Sequence, residues 1–193
     1  IRIGNIYDQN TTFGKALEKF KQDVEKNSNG EIQVEIFHNG TLGSEKDHIE
    51  ALKTGSLEMM ETGTAGISLY VPETAIFELW YMYEDMGQLV RAFEGLMPEL
   101  DKMYQEKGFK LLGAYYDGPR NILSKAKIEK LEDLQGLKLR VPGSTLYMNM
   151  ANALGAKAVS MPLTDVYTGL ETGAIDAMEG SPDAVFQQKF FEK

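Results

Sequence analysis

"GLKLRVPGSTLYMNMANALGA", residues 136–156, changes its period halfway along. Leu137, Leu139 and Val141 recur at period two and share one face of a strand, which sends Lys138 and Arg140 to the other face. Pro142 and Gly143 break that strand. Behind them Ser144 or Thr145 is placed to cap a helix whose Leu146, Met150 and Leu154 fall at helical spacing, with Gly155 as its stop. A permanent cation, Arg140, is thus the last outward side chain where a strand hands over to a helix start.

The same strand-to-helix step recurs on both sides. Downstream the pattern predicts a strand at 157–160, a helix at 164–172 and a strand at 174–178. Upstream, "IRIGNIY" reads as a first strand, and Phe13, Leu17, Phe20 and Val24 form the stripe of a surface helix before the "NSNG" turn. "EIQVEIFH" alternates as a second strand. "SEKDHIEALKTGS" reads as a second helix, capped by Ser44 and stopped by Gly55. Residues 57–70 read as a buried strand followed by a short turn of helix. Met86, Leu89, Val90 and Phe93 mark another helix, and Pro98 is expected to open a new one that carries Leu100, Met103 and Tyr104 to Gly108. "FKLLGAYY" reads as a strand, "DGPRN" as a turn and "ILSKAKI" as a further extended piece.

Strands separated by helices predict an α/β fold with mainly parallel sheets. No linker and no repeat divides the chain, so a boundary has to be a crossing strand, and the extended run from Phe109 to Ile128 is the candidate. The expectation is two lobes, 1–117 and 118–193, with a cleft between them. Ligands in open parallel sheets gather beyond the carboxyl ends of strands, where Arg140, Arg120 and the "MEGSP" turn with Glu179 and Gly180 are expected.

Composition narrows the function. The chain has 193 residues, 42% hydrophobic and 25% charged, enough for one or two packed domains. Twenty Lys plus Arg against 29 Asp plus Glu give a formal charge of −9, which repels phosphate backbones, so nucleic acid is not an expected partner. No cysteine is present, which removes disulfides, thiolate metal sites and a cysteine nucleophile. No apolar run approaches the roughly 20 residues of a membrane helix. The chain begins without a basic-then-apolar leader, which implies a processed or recombinant start, and it stops at "PDAVFQQKFFEK" with Val185, Phe186, Phe190 and Phe191 seeking partners, so a longer natural chain is expected. No G-x-S-x-G, G-x-x-x-x-G-K, G-x-G-x-x-G or H-E-x-x-H pattern occurs, and no catalytic residue, cofactor or metal is expected. His38 and His48, the only histidines, lack ligand spacing, and His48 reads as part of a solvated helix start.

Arg120 and Arg140 carry the sharpest chemistry. Two guanidinium forks at strand ends either grip a small anion or pair with nearby protein acids, and spacing alone leaves both open. Glu179 is placed either to position a cation or to be solvated in its turn. One of Tyr115 and Tyr116 faces the core and the other solvent or the cleft, with Tyr116 the candidate for the cleft wall. Trp80, in "FELWYMYED", packs near the cleft rim.

"LKLRVP" followed by "ALGAKAVSMPLTDVYTGLETGAIDAMEGSP" resembles the solute-binding subunit of tripartite ATP-independent periplasmic (TRAP) transporters, the DctP-like family. The matching positions are Arg140, Val141, Pro142, Gly155, Ala156, Met161, Pro162, Val166, Tyr167, Gly173, Asp176 and Glu179. "GEIQVEIFHNGTLGSEKDHIEALKTGSLEMM" and "GPRNILS" are similar to the family as well, so the likeness covers the chain. It implies a two-lobed periplasmic-binding-protein fold of type II-like form, and a chain about a hundred residues longer. It also implies a monomeric, periplasmic (or extracellular, lipid-anchored) protein that delivers a carboxylate to membrane-embedded transporter subunits. Arg140 is then the main salt bridge to the ligand carboxylate and Arg120 its assistant. The family's Gln-Glu-Asn-Pro reads Met178, Glu179, Gly180, Ser181, Pro182 here, so an amide that often meets ligand is missing, and Trp80 stands where proline is usual. The rival readings are an enzyme or a sensory receptor domain on the same scaffold.

Overall fold

The computed structural model describes all of Ile1–Lys193. Its first lobe is built on three short parallel strands, β1 (Arg2–Gly4), β2 (Glu35–Phe37) and β3 (Met59–Met60), in the order β2-β1-β3. α1 (Thr12–Asn27) joins β1 to β2 and α2 (Glu45–Thr54) joins β2 to β3, the right-handed crossovers that parallel pairing demands. α1 starts where the Thr11 side chain accepts the Gly14 N–H, and it buries Phe13 and Leu17, the latter with Ile3 and Val34. α2 starts with a capping box in which the Asp47 carboxylate accepts the Ser44 N–H at 2.7 Å. A short helix α3 (Thr64–Ile67), a 3-10 helix (Pro72–Glu78) and the long α4 (Met86–Glu106) complete this lobe around Ile49, Ile67, Val71 and Tyr104.

The second lobe carries four strands in the order β4-β7-β5-β6: β4 (Asn121–Ser124), β5 (Lys138–Val141), β6 (Lys157–Ser160) and β7 (Ala177–Gly180). β5 pairs in parallel with β6 and β7, whereas β4 runs antiparallel to β7. The helices α5 (Thr145–Ala153), α6 (Val166–Thr172) and α7 (Pro182–Gln187) connect and follow them. Leu139 and Val141 pack with Tyr147, Ala151 and Ala177 on one side of β5, and Val166, Leu170, Ile175, Met178 and Phe190 form a second cluster. Ala65 and Trp80 of the first lobe belong to the packing around Tyr147, so an apolar seam joins the lobes.

Three expectations are corrected. Residues 110–120 make no strand: their alternation gives extended backbone, but a strand exists only where a partner supplies a ladder, and Leu112 is left 65% exposed. Pro98 does not open a new helix. It lies inside α4, where it forfeits one hydrogen bond to the carbonyl of Glu94 on a solvent-facing turn, while Leu100 and Tyr104 anchor the helix beyond it. His48 is not solvated; it is fully buried against β1, with neither ring nitrogen hydrogen-bonded, and burial lowers its pKa from the usual 6.5. The strands at either end of the pattern are also shorter or shifted, as at 177–180 in place of 174–178.

Gly14 is the tightest backbone contact. A Cβ there would stand 2.5 Å from the Asp8 carbonyl oxygen and 2.6 Å from the Gln9 Cα, both main-chain atoms that cannot swing aside. Gly14→Ala is therefore expected to destabilise the chain by about 1–3 kcal/mol despite alanine's better helix propensity. Denaturant unfolding would measure it, and an unchanged midpoint would show that the 8–11 loop yields freely.

Candidate functional site

Arg140 sits on β5, the strand flanked on both sides, opposite Val159 of β6 and Met178 of β7. That central position, rather than an outward face, is why the residue is only 3% exposed. Its Nε donates to the Met161 carbonyl at 2.8 Å. No carboxylate lies within ion-pair distance of it, and burial pulls its pKa below the usual value even though Glu179 opposes the shift. An arginine keeps its charge under such a pull, so a cation is buried here with its fork free.

Arg120 has the opposite fate. It precedes β4, whose antiparallel register sets Asn121 against Gly180 and Ile122 against Glu179. Its Nε donates to Glu179 Oε2 at 2.5 Å and its Nη2 to Oε1 at 3.0 Å, a two-pronged grip on a carboxylate that is 2% exposed. Asp117 stands 3.9 Å away on the other side, and the Tyr147 ring lies 5.4 Å beneath the guanidinium. Burial works against Arg120's charge, but Glu179 holds its pKa well above the usual value.

The seam between the lobes adds residues that sequence reasoning passed over. The Tyr147 hydroxyl donates to the Glu78 carboxylate across it. Burial pushes the Glu78 pKa up. The Trp80 ring meets Tyr147 edge-on at 5.9 Å, and its Nε1 is buried without a partner. Tyr147 lies off the apolar stripe of its helix, so periodicity ranked it below Leu146 and Met150, yet it is fully buried. Its cue was the missing polar face: a tyrosine inside needs a partner for its hydroxyl.

Of the six residues expected at the site, Arg140, Arg120, Glu179 and Trp80 converge. Gly180 contributes buried β7 backbone beside them. Tyr116 makes none of these contacts and is 40% exposed, while its neighbour Tyr115 stacks on Phe13 at 4.8 Å. A cavity of about 270 Å³ opens between the lobes at the turn that follows β5; Arg140 itself is not in its wall. Ile6, Ser44 and Glu45 line it from the first lobe, Gly143, Ser160 and Pro162 from the second. Met161, whose carbonyl holds Arg140, lies between two of these. Tyr7, Glu45, Glu61, Tyr115 and Asp117 gather at the first-lobe side, where burial pushes Glu61 up to about 8 and Asp117 up to about 6. Sequence reasoning passed over Glu61, since nothing local tells which acids will meet.

The chain is thus two sheet-based lobes with a gap between them and a buried guanidinium, Arg140, on the second. Residues 3–193 match the model of bacterial extracellular solute-binding proteins, family 7 (DctP), and the chain belongs to that family. It is 30% identical over 197 residues to the C4-dicarboxylate-binding periplasmic protein DctP of Rhodobacter capsulatus, all of this chain and 58% of that one. It is 28% identical over 194 residues to the 2,3-diketo-L-gulonate-binding periplasmic protein YiaO of Escherichia coli, all of this chain and 59% of that one. Among solved structures, the sugar acid binding protein DctPAm of Advenella mimigardefordensis, in complex with galactonate, superposes with a TM-score of 0.96 at 32% identity, over all of this chain and 63% of that one. A TRAP periplasmic solute-binding protein of Xanthobacter autotrophicus with bound β-D-galacturonate gives 0.95 at 30% identity, over 99% and 64%. The chain thus spans less than two thirds of the length of these relatives. No helix is long and apolar enough to cross a membrane.

Proposed function

We propose that this chain carries the ligand cleft of an extracytoplasmic protein that captures a sugar acid bearing one carboxylate and hands it to a membrane-embedded TRAP transporter. The lobes are residues 1–117 and 118–193, hinged across the 109–120 segment, and the protein works as a periplasmic monomer without chemistry on its ligand. The single observation that carries the reading is the contrast between the two arginines. Arg120 is held by Glu179, whereas Arg140 is buried with no protein acid within ion-pair distance. A buried cation without a counter-ion is costly, and a ligand carboxylate on its free fork relieves that cost. The remaining polar groups argue for one carboxylate and several hydroxyls. Glu45, Asp117 and Tyr7 accept or share hydrogen bonds with hydroxyls, and the two acids among them repel a second carboxylate. The uronate and aldonate complexes of the similar structures agree with that class.

A thermal-shift screen tests it. D-galacturonate at about 100 times its Kd is expected to add about 2.7 kcal/mol to stability, or roughly 5–10 °C. Succinate is expected to give a smaller shift, and neutral galactose none. A galactose shift equal to that of galacturonate would sink the carboxylate reading, and a larger succinate shift would sink the single-carboxylate one.

A further inference from the structure

The first-lobe side of the cleft holds Glu61, a buried carboxyl on which no basic group acts. Glu61 follows β3 directly, and its backbone N–H donates to the Gly4 carbonyl at 3.0 Å, which fixes where its side chain starts. The charged and titratable groups that face it are Glu45 from α2, Tyr115 and Asp117 from the 109–120 segment, and Tyr7 beyond β1. None of these is basic. Arg120 acts on Asp117 and Tyr7, and Arg140 on Glu45 and Tyr7, but neither acts on Glu61. Glu61 Oε2 and Asp117 Oδ1 are both sealed from solvent with no hydrogen-bond partner. An ionised Glu61 in this place loses its water, keeps only the Tyr115 hydroxyl as a donor, has none on Oε2 and stands between two further acids. A protonated Glu61 has no charge to desolvate or to repel, and offers an O–H.

We propose that Glu61 is a proton-linked specificity residue: the closed cleft holds an acid ligand only while Glu61 carries a proton, so that capture takes up a proton from solvent. The proposal rests on the reading of the cleft as a site for a sugar acid. Glu61 is already buried in the free chain, and the ligand's own negative charge then holds its proton more firmly still, so uptake shows where the free chain has begun to lose that proton. The proton moves from solvent to Glu61, and nothing else is transferred. The acid that enters is then met by one guanidinium on the second lobe and by a neutral donor on the first. Burial together with Glu45 accounts for the upward shift of Glu61 to about 8, which puts the change between neutral and alkaline pH, above the window of Asp117.

Titration calorimetry with D-galacturonate, in HEPES and in Tris, reads the linkage because the two buffers differ in ionisation enthalpy. For the unaltered chain, affinity is expected to hold below about pH 8 and to weaken toward tenfold per unit above it, with binding heats near the bend that differ between the buffers. Glu61→Gln keeps a donor but cannot ionise. Whatever its affinity at neutral pH, that affinity is expected to stay constant into the alkaline range, without the weakening and without the buffer difference. An unaltered chain whose affinity stays flat into the alkaline range overturns the proposal, as does a Glu61→Gln chain that keeps the alkaline weakening. A chain that gives no heat with galacturonate at any pH counts against the sugar-acid reading instead, and Glu61 is then judged by unfolding of the free chain. The folded-state value of Glu61 lies above the unfolded one, so the folded form holds the extra proton and its stability falls as pH rises from about 4.5 to about 8. The unaltered chain must lose stability relative to Glu61→Gln across that window, and a constant difference overturns the proposal.

Discussion

Arg140→Ala is expected to lose D-galacturonate binding almost entirely, with a cost of about 2–5 kcal/mol, which is about 30-fold to several thousand-fold in Kd. The size follows from burial. A ligand carboxylate that enters the closed cleft leaves its water behind, and the Arg140 fork is the charge placed to replace it. Lysine at 140 is expected to recover only part of the loss, since an ammonium keeps the charge but not the paired donors. The alanine chain should remain folded, because Arg140 lies within ion-pair distance of no protein carboxylate and its one hydrogen bond goes to the Met161 carbonyl. Calorimetry on both variants, with unfolding midpoints measured alongside, separates affinity from stability. Full affinity in Arg140→Ala would end the assignment of that side chain as the ligand's grip.

Glu179→Ala is expected to act first on the fold. Removing one partner of a buried ion pair costs about 3–5 kcal/mol, but the Arg120 side chain is 29% exposed and water replaces part of what Glu179 gave. About 2–3 kcal/mol remains, a fall of roughly 5–10 °C in the unfolding midpoint for a chain of this size. A second effect follows from place. Glu179 is also the strongest favourable charge acting on Arg140, so its loss leaves two guanidiniums near one another without an acid between them. Ligand affinity should then change with the salt concentration more steeply than in the unaltered chain. An unchanged midpoint would mean that Arg120 finds Asp117 or Glu78 at no cost, and that the Arg120–Glu179 pair is incidental.

Much of this site was legible before any coordinates. The stretch around Arg140 gave its strand, its turn and its helix within a residue or two, because alternation, a Pro-Gly break and helical spacing are all local signals. The resemblance carried the family, the two lobes and the pair of arginines. It did not give the division of labour between those arginines. Both are strand-end guanidiniums in the sequence, and only the antiparallel register of β4 on β7 sets Glu179 beside Arg120 and leaves Arg140 unpaired. Glu78 and Tyr147 meet across 69 residues of chain, and Glu61 meets Glu45 and Asp117 from three separate elements. No pattern of spacing reports such meetings.

The sequence by itself determined the α/β alternation, the absence of a thiol or a recognised catalytic motif, and the chemistry on offer at the strand ends. Those properties depend on neighbours a few residues apart, where periodicity and turn chemistry act. The tertiary structure alone decided that residues 110–120 join no sheet, that His48 is buried, and which of the two guanidiniums is paired with a protein acid. Burial and pairing are properties of distance in space. A charge is free or balanced according to what folding brings within a few ångströms of it.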